Sequence, residues 1–119
     1  MNDRYLFRAK HSLESKKWNI GNLVEEPDGL YLRDNKKNIM VYIQDHSTIC
    51  QCTGLKDKNG KLIWENDIMK YQLDGKTRIY VVKYEPPMFS YKNVIRCSLY
   101  QDEVIGNIFD NPELLESED

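Results

Sequence analysis

From Ile68 onward the chain alternates between apolar and polar positions. Met69, Tyr71 and Leu73 are separated by Lys70 and Gln72, the period of two that turns one strand face to a core and the other to water. Asp74-Gly75 follows, and such a pair between alternating runs predicts a two-residue hairpin. Tyr80, Val82 and Tyr84 then alternate with Ile79, Val81 and Lys83. Pro86-Pro87 ends that strand, because neither residue donates to a ladder. Phe89 and Tyr91 are β-prone. Ile95, Cys97 and Leu99 alternate with Arg96, Ser98 and Tyr100, which places the first set on a core face. Residues 104–109 predict a last strand.

The first half reads as shorter strands between turns. Residues 5–9 predict a first strand, residues 10–17 a polar turn, and residues 18–24 a second strand broken near Gly21. Pro27-Asp28-Gly29 is a turn, with proline presetting φ and glycine accepting φ > 0. A short strand over residues 30–32 and a turn over residues 34–37 follow. Residues 39–43, Ile-Met-Val-Tyr-Ile, are apolar at every position and predict a central strand. After His46 a further strand runs through residues 49–52.

Residues 53–69 hold two turns around a short strand, Leu62-Ile63-Trp64. Asp57-Lys58-Asn59-Gly60 has an acceptor at the first position and glycine at the last, a type I turn. Glu65-Asn66-Asp67 is a second bend, and Asn66 is the residue type after glycine most able to take left-handed φ. Near the end, Asn111-Pro112-Glu113-Leu114-Leu115 predicts a short helix. Asn111 caps it, Pro112 takes its first position, and Glu113 faces its positive end. The fold class expected is mainly β. A small, SH3-like, bent barrel forms the second half, an N-terminal β-meander packs on it, and a short C-terminal helix closes the chain.

A chain of 119 residues sets an expectation of one domain over residues 1–119. Its 17 basic and 19 acidic residues give a net charge of −2. Their distribution changes the picture. Residues 101–119 carry seven acids and no base, leaving 17 bases against 12 acids before them. A mildly basic body with an acidic end is compatible with a polyanion partner, but a soluble surface with a solvated tail is the favoured reading. No apolar run reaches the ~18 residues of a membrane span, and no signal-like start is present, so the expected compartment is the cytoplasm. Three cysteines fit reduced thiols there better than a disulfide framework.

Three segments carry a family likeness. The start, Tyr5-Leu6-Phe7-Arg8-Ala9, is similar to I-x-F-R-A-W. The centre, from Gln51-Cys52-Thr53-Gly54-Leu55-Lys56-Asp57 through Gly60 to Glu65-Asn66-Asp67-Ile68, is similar to Q-[YF]-T-G-L-x-D-x-x-G followed by E-G-D-I. The close, Val104-Ile105-Gly106-Asn107-Ile108-Phe109 with Asn111-Pro112-Glu113-Leu114-Leu115, is similar to V-I-G-N-I-[YF]-x-N-P-E-L-L. Together they resemble the YopX family of phage and prophage proteins. The chain departs from it at Lys10, where the family has tryptophan, at Cys52, where it has an aromatic, and at Asn66, where it has glycine. The resemblance implies a β-rich phage or prophage accessory protein in a bacterial cytoplasm, and it carries over no enzyme activity.

The candidate chemistry is thin. His46, Cys50, Cys52 and Cys97 are zinc-ligand types, yet Cys-x-Cys is not the usual knuckle spacing and no second pair exists, so free thiols are expected and no metal. A cysteine nucleophile would need a base, and His46 is the sequence-local candidate, with His11 the other histidine. Glu65 and Asp67 beside Trp64 could form a carboxylate pair, but Asp67 and Asp57 are placed to accept N–H bonds in their own turns. Asp57-x-Asn59-Gly60 lacks the remaining positions of a calcium loop. Gly54, Gly60 and Gly75 belong to turns, with no helix opening after them to cradle phosphate. No cofactor is expected.

Basic and aromatic residues interleave at Lys70, Tyr71, Lys76, Arg78, Tyr80, Lys83, Tyr84, Tyr91, Lys92 and Arg96, as a nucleic-acid-binding barrel would require. Tyrosines in β proteins are more often half-buried sheet residues. The reading favoured is a non-catalytic protein-binding or self-assembling module, with nucleic-acid binding as the alternative and zinc- or cysteine-dependent catalysis behind it. Trp64, Glu65, Lys70, Tyr71, Arg78, Tyr80 and Lys83 are the candidate interaction residues. Gly54, Asp57, Gly60, Asn66 and Asp67 are read as structural turn residues.

Overall fold

A computed structural model describes residues 5–10, 17–34, 36–85, 88–91, 94–95 and 102–116. The strands expected from the alternation are antiparallel ladders within two units, Met1–Cys52 and Thr53–Asp119. Residues 11–16 of the turn expected over residues 10–17, Pro86-Pro87, and the residues about Cys97 lie outside the described residues.

The first unit is a meander. It comprises β1 (Phe7–Ala9), β2 (Asn19–Glu26), β3 (Gly29–Asp34), β4 (Ile39–Tyr42) and the start of β5 (Cys50–Lys56), in the order β4-β3-β2-β1-β5. Gly21 is where β2 changes partners: Gly21 lies opposite Phe7 of β1, and from Asn22 the strand pairs with β3. A Cβ on Gly21 would lie 2.2 Å from the Arg33 carbonyl oxygen, so only glycine lets the two backbones approach this closely. Ala9, Leu32 and Ile43 form the buried centre, with Phe7, Leu30 and Ile49 against them. Asp45 caps a 3-10 turn, His46–Thr48, by accepting the Ser47 N–H. The buried Thr48 hydroxyl of that turn accepts the Lys10 N–H at 3.0 Å and donates to the Asp45 carbonyl. No strand or apolar periodicity announced this turn.

The position of β4 corrects the sequence reading. It is the last strand in the order, not a central one, and Ile39, Met40 and Tyr42 are 48%, 42% and 42% exposed. Two successive turns lead β2, β3 and β4 outward in sequence order, so an all-apolar run ends at an edge.

The second unit contains the rest of β5, β6 (Leu62–Trp64), β7 (Asp67–Leu73), β8 (Lys76–Val81), β9 (Lys83–Glu85), β10 (Met88–Tyr91), β11 (Val94–Ile95), β12 (Glu103–Asn107) and α1 (Glu113–Glu116). Its sheets run β12-β7-β8 and β11-β10-β9. Asp74 and Gly75 turn between β7 and β8 with φ of 52° and 76°, the left-handed pair that matches strand twist. Met69 lies opposite Tyr80 on one side and Val104 on the other. These three, with Ile63 and Val82, are the buried core.

Among the described residues the sheets do not close into a barrel. The sequence pattern reads residues 80–84 as one strand, but β8 stops at Val81. Val82 then donates its N–H to the Asp67 carbonyl and accepts from the Asn66 N–H, and the chain enters a different sheet as β9. Residues 108–110 form a turn, so β12 also ends earlier than expected.

Candidate functional site

The residues of the 53–69 stretch are consumed by backbone. Asp57 is 5% exposed. Its Oδ1 accepts the N–H groups of Asn59 and Lys61, each at 2.9 Å, and its Oδ2 accepts the N–H of Val104 at 3.0 Å. Burial pushes this carboxyl pKa up, but the three N–H donors and the Lys61 charge outweigh burial and hold it below the usual carboxylate range. Asp67 is 1% exposed, and its Oδ2 accepts the Trp64 N–H at 2.8 Å. The Thr53 hydroxyl donates to the Ile63 carbonyl at 2.8 Å and accepts the Leu55 N–H. Gly54, Gly60 and Asn66 all have positive φ, 81°, 83° and 71°.

The other candidates scatter. Trp64 is buried and Glu65 half-buried in the bend. Tyr80 is buried, donates its hydroxyl to the Asp102 carboxylate, and meets the half-buried Tyr71 ring edge-on at 5.6 Å. Arg78 is exposed and opposite Tyr71. Lys70 lies 3.5 Å from the Glu103 carboxylate, and Lys83 donates to Asn66 Oδ1 at 3.1 Å. The structure thus brings Tyr71, Arg78 and Tyr80 onto adjacent strands, while Lys70 alternates to the other face of β7.

Cys50 and Cys52 are free thiols, both buried. Among the described residues no group of three or more His, Cys, Asp or Glu side chains could hold a metal, and no helix is long and apolar enough to cross a membrane. Cys97 and His11 lie outside the described residues.

The second unit also uses residues that the pattern reading left without a role. Asn107 Oδ1 accepts the N–H groups of Phe109 and Asp110. Asn111 does not cap α1 through its side chain. Its Oδ1 turns back to accept the Asn107 N–H at 3.2 Å, and its backbone carbonyl receives the Leu114 N–H. A Cβ on Gly106 would meet that Asn111 Oδ1 at 2.5 Å. The V-I-G-N and N-P-E segments are therefore one packed unit. Their spacing was visible, but not their contact.

The first unit carries a cleft of about 550 Å³ that no motif announced. Leu32, Ile39 and Val41 from β3 and β4 give it an apolar floor, and Trp18 and Ile20 line the side at the start of β2. Lys17, Lys36 and Lys37, all exposed, supply its cations. Asp34 is the acid in the lining, and its Oδ1 accepts the N–H groups of Lys36 and Lys37 at 3.0 and 3.2 Å. Trp18 is held by two cations, with the Arg8 guanidinium 4.6 Å and the Lys10 ammonium 5.2 Å from its ring centre. On the neighbouring strands Tyr31 donates to Asp28 Oδ2 at 2.9 Å, a bond that raises the phenol pKa.

A family model described as YopX protein matches residues 6–116. Protein EF1440 from Enterococcus faecalis, known as a crystal structure, is similar in fold. Its TM-score is 0.55 at 24% sequence identity, over 92% of this chain and 96% of that one. No curated protein is matched by the sequence.

Proposed function

The chain belongs to the YopX family, and from that premise we propose that it is a non-catalytic accessory module that binds protein, encoded by a phage or prophage and working in the bacterial cytoplasm. The observation that carries this reading is the state of the two family-motif aspartates. Asp57 and Asp67 are buried and bonded to backbone N–H groups. A general acid or base must instead reach a substrate and exchange a proton near neutral pH. The motif is thereby explained as architecture, and among the described residues the cleft of the first unit offers a surface for function. It combines exposed aliphatic side chains with lysines, a mixture suited to holding another polypeptide. Nucleic-acid binding through the basic and aromatic residues of β7 and β8 finds less support, because the Tyr80 ring lies in the core and Lys70 lies beside Glu103.

Cross-linking mass spectrometry on the tagged full chain in a producing bacterium tests the reading. The expected result is a stoichiometric protein partner, a second copy included, cross-linked through Lys36 or Lys37 and lost in the Ile39→Asp variant. Turnover of a small-molecule substrate that disappears in Asp67→Asn, while the variant keeps its fold by circular dichroism, would sink it.

A further inference from the structure

We propose that the cleft of the first unit receives the acidic C-terminal segment, residues 112–119, of a second copy of this chain. The inference rests on the binding-module reading and names its partner.

Two parts of one sequence are complementary in charge and in apolar content. The cleft presents Lys17, Lys36 and Lys37 around the aliphatic side chains of Ile20 and Ile39, each 48% exposed. Against these three lysines the lining holds one acid, Asp34, whose Oδ1 accepts N–H groups of its own turn, so the lining is net positive. Residues 112–119, Pro-Glu-Leu-Leu-Glu-Ser-Glu-Asp, carry four acids, no base and two adjacent leucines. Leu114 and Leu115 are only half-buried in their own copy. An aliphatic side chain flanked by carboxylates is what an aliphatic floor flanked by ammonium groups selects. Apolar contact supplies the affinity, and the charges supply register and discrimination. Donor and receiver are different surfaces, so the contact is heterologous, and assembly ends where a ring or a reciprocal pair closes.

Sedimentation of the full chain with paired charge reversals tests this. One variant reverses the receiver (Lys36→Glu with Lys37→Glu), and the other reverses the donor (Glu116→Lys with Glu118→Lys). Wild type is expected to self-associate at about 0.05 M salt and to dissociate as salt rises toward about 0.5 M. Each variant alone should associate at least about tenfold more weakly. An equimolar mixture of the two should recover association, because the reversed charges at positions 116 and 118 then face the reversed charges at positions 36 and 37, while the unreversed segment of one variant meets the unreversed cleft of the other. Trp18 emission should shift on association and follow the same order. Lys36 and Lys37 are exposed, and equal thermal melts of all variants confirm that folding is unchanged. A monomeric wild type through about 0.1 mM overturns the inference, as do variants that associate like wild type or a mixture that fails to recover. In each of these cases a cleft cross-link to a different protein would still leave the binding-module reading standing.

Discussion

Asp57 and Val104, 47 residues apart, are joined by a 3.0 Å hydrogen bond from the Val104 N–H to the Asp57 carboxylate. The same carboxylate closes its own turn through Asn59 and Lys61, so one buried side chain ties a local turn to the start of the last strand. Asp57→Asn keeps the shape but loses the charge and must present an N–H₂ group to one of three donors. A loss of about 2–4 kcal/mol is expected, measured by urea denaturation near neutral pH.

The sign of the pH effect follows from the lowered pKa of Asp57. A carboxyl with a lower pKa folded than unfolded adds stability that is full above the unfolded value of about 3.9 and is lost as pH falls through the folded value. The stability gap between wild type and Asp57→Asn should be constant from neutral pH to about 5 and narrow below about 4. A gap that widens on acidification would show that the N–H bonds do not govern this carboxyl.

Gly106→Ala places a methyl group against the Asn111 side-chain oxygen. Overpacking of this kind costs about 1–3 kcal/mol. In an Asn111→Ala background the two nearest atoms, Oδ1 and Cγ, are removed and only the Cβ at 2.9 Å remains, so the same change should cost about 1 kcal/mol less. Additive losses in the double-mutant cycle would refute the contact.

Gly21→Ala meets the Arg33 backbone, which cannot swing aside as a side chain can. Separation of β2 from β3 is expected, with a loss of about 3 kcal/mol or more. Faster amide exchange at Asn22 and Leu23 should accompany it.

Asn66 holds φ at 71°. Asn66→Gly should lie within about 0.5 kcal/mol of wild type, since glycine takes the same φ without steric cost and the bond from Lys83 is exposed. Asn66→Ala should cost about 1 kcal/mol from backbone conformation. Equal thermal midpoints for the two variants would remove the left-handed argument.

Local geometry was legible in the residues themselves. Asp74-Gly75, Glu65-Asn66-Asp67 and Asp57 through Gly60 specify turns because the backbone conformation there depends on a few neighbouring side chains. The alternation of Met69, Tyr71 and Leu73 located β7 for the same reason. The family motif was readable too, and its aspartates could be read as turn residues from spacing alone.

The sequence by itself therefore determined the turns, most of the strands and the family. Tertiary structure decided which strand lies at an edge, where a ladder breaks and what a motif touches. Ile39 and Met40 are apolar, yet they lie exposed because sheet order, not hydropathy, places β4 last. Val82 continues an alternating run, yet its N–H goes to Asp67 and the strand ends. The cleft at Trp18, Ile39 and Lys36 joins residues with no common motif, since concavity arises only when the successive strands of the meander and their turns are placed around the same space. Its proposed relation to the acidic residues 112–119 rests on both sources: charge order along the sequence, and the grouping of lysines in the folded unit.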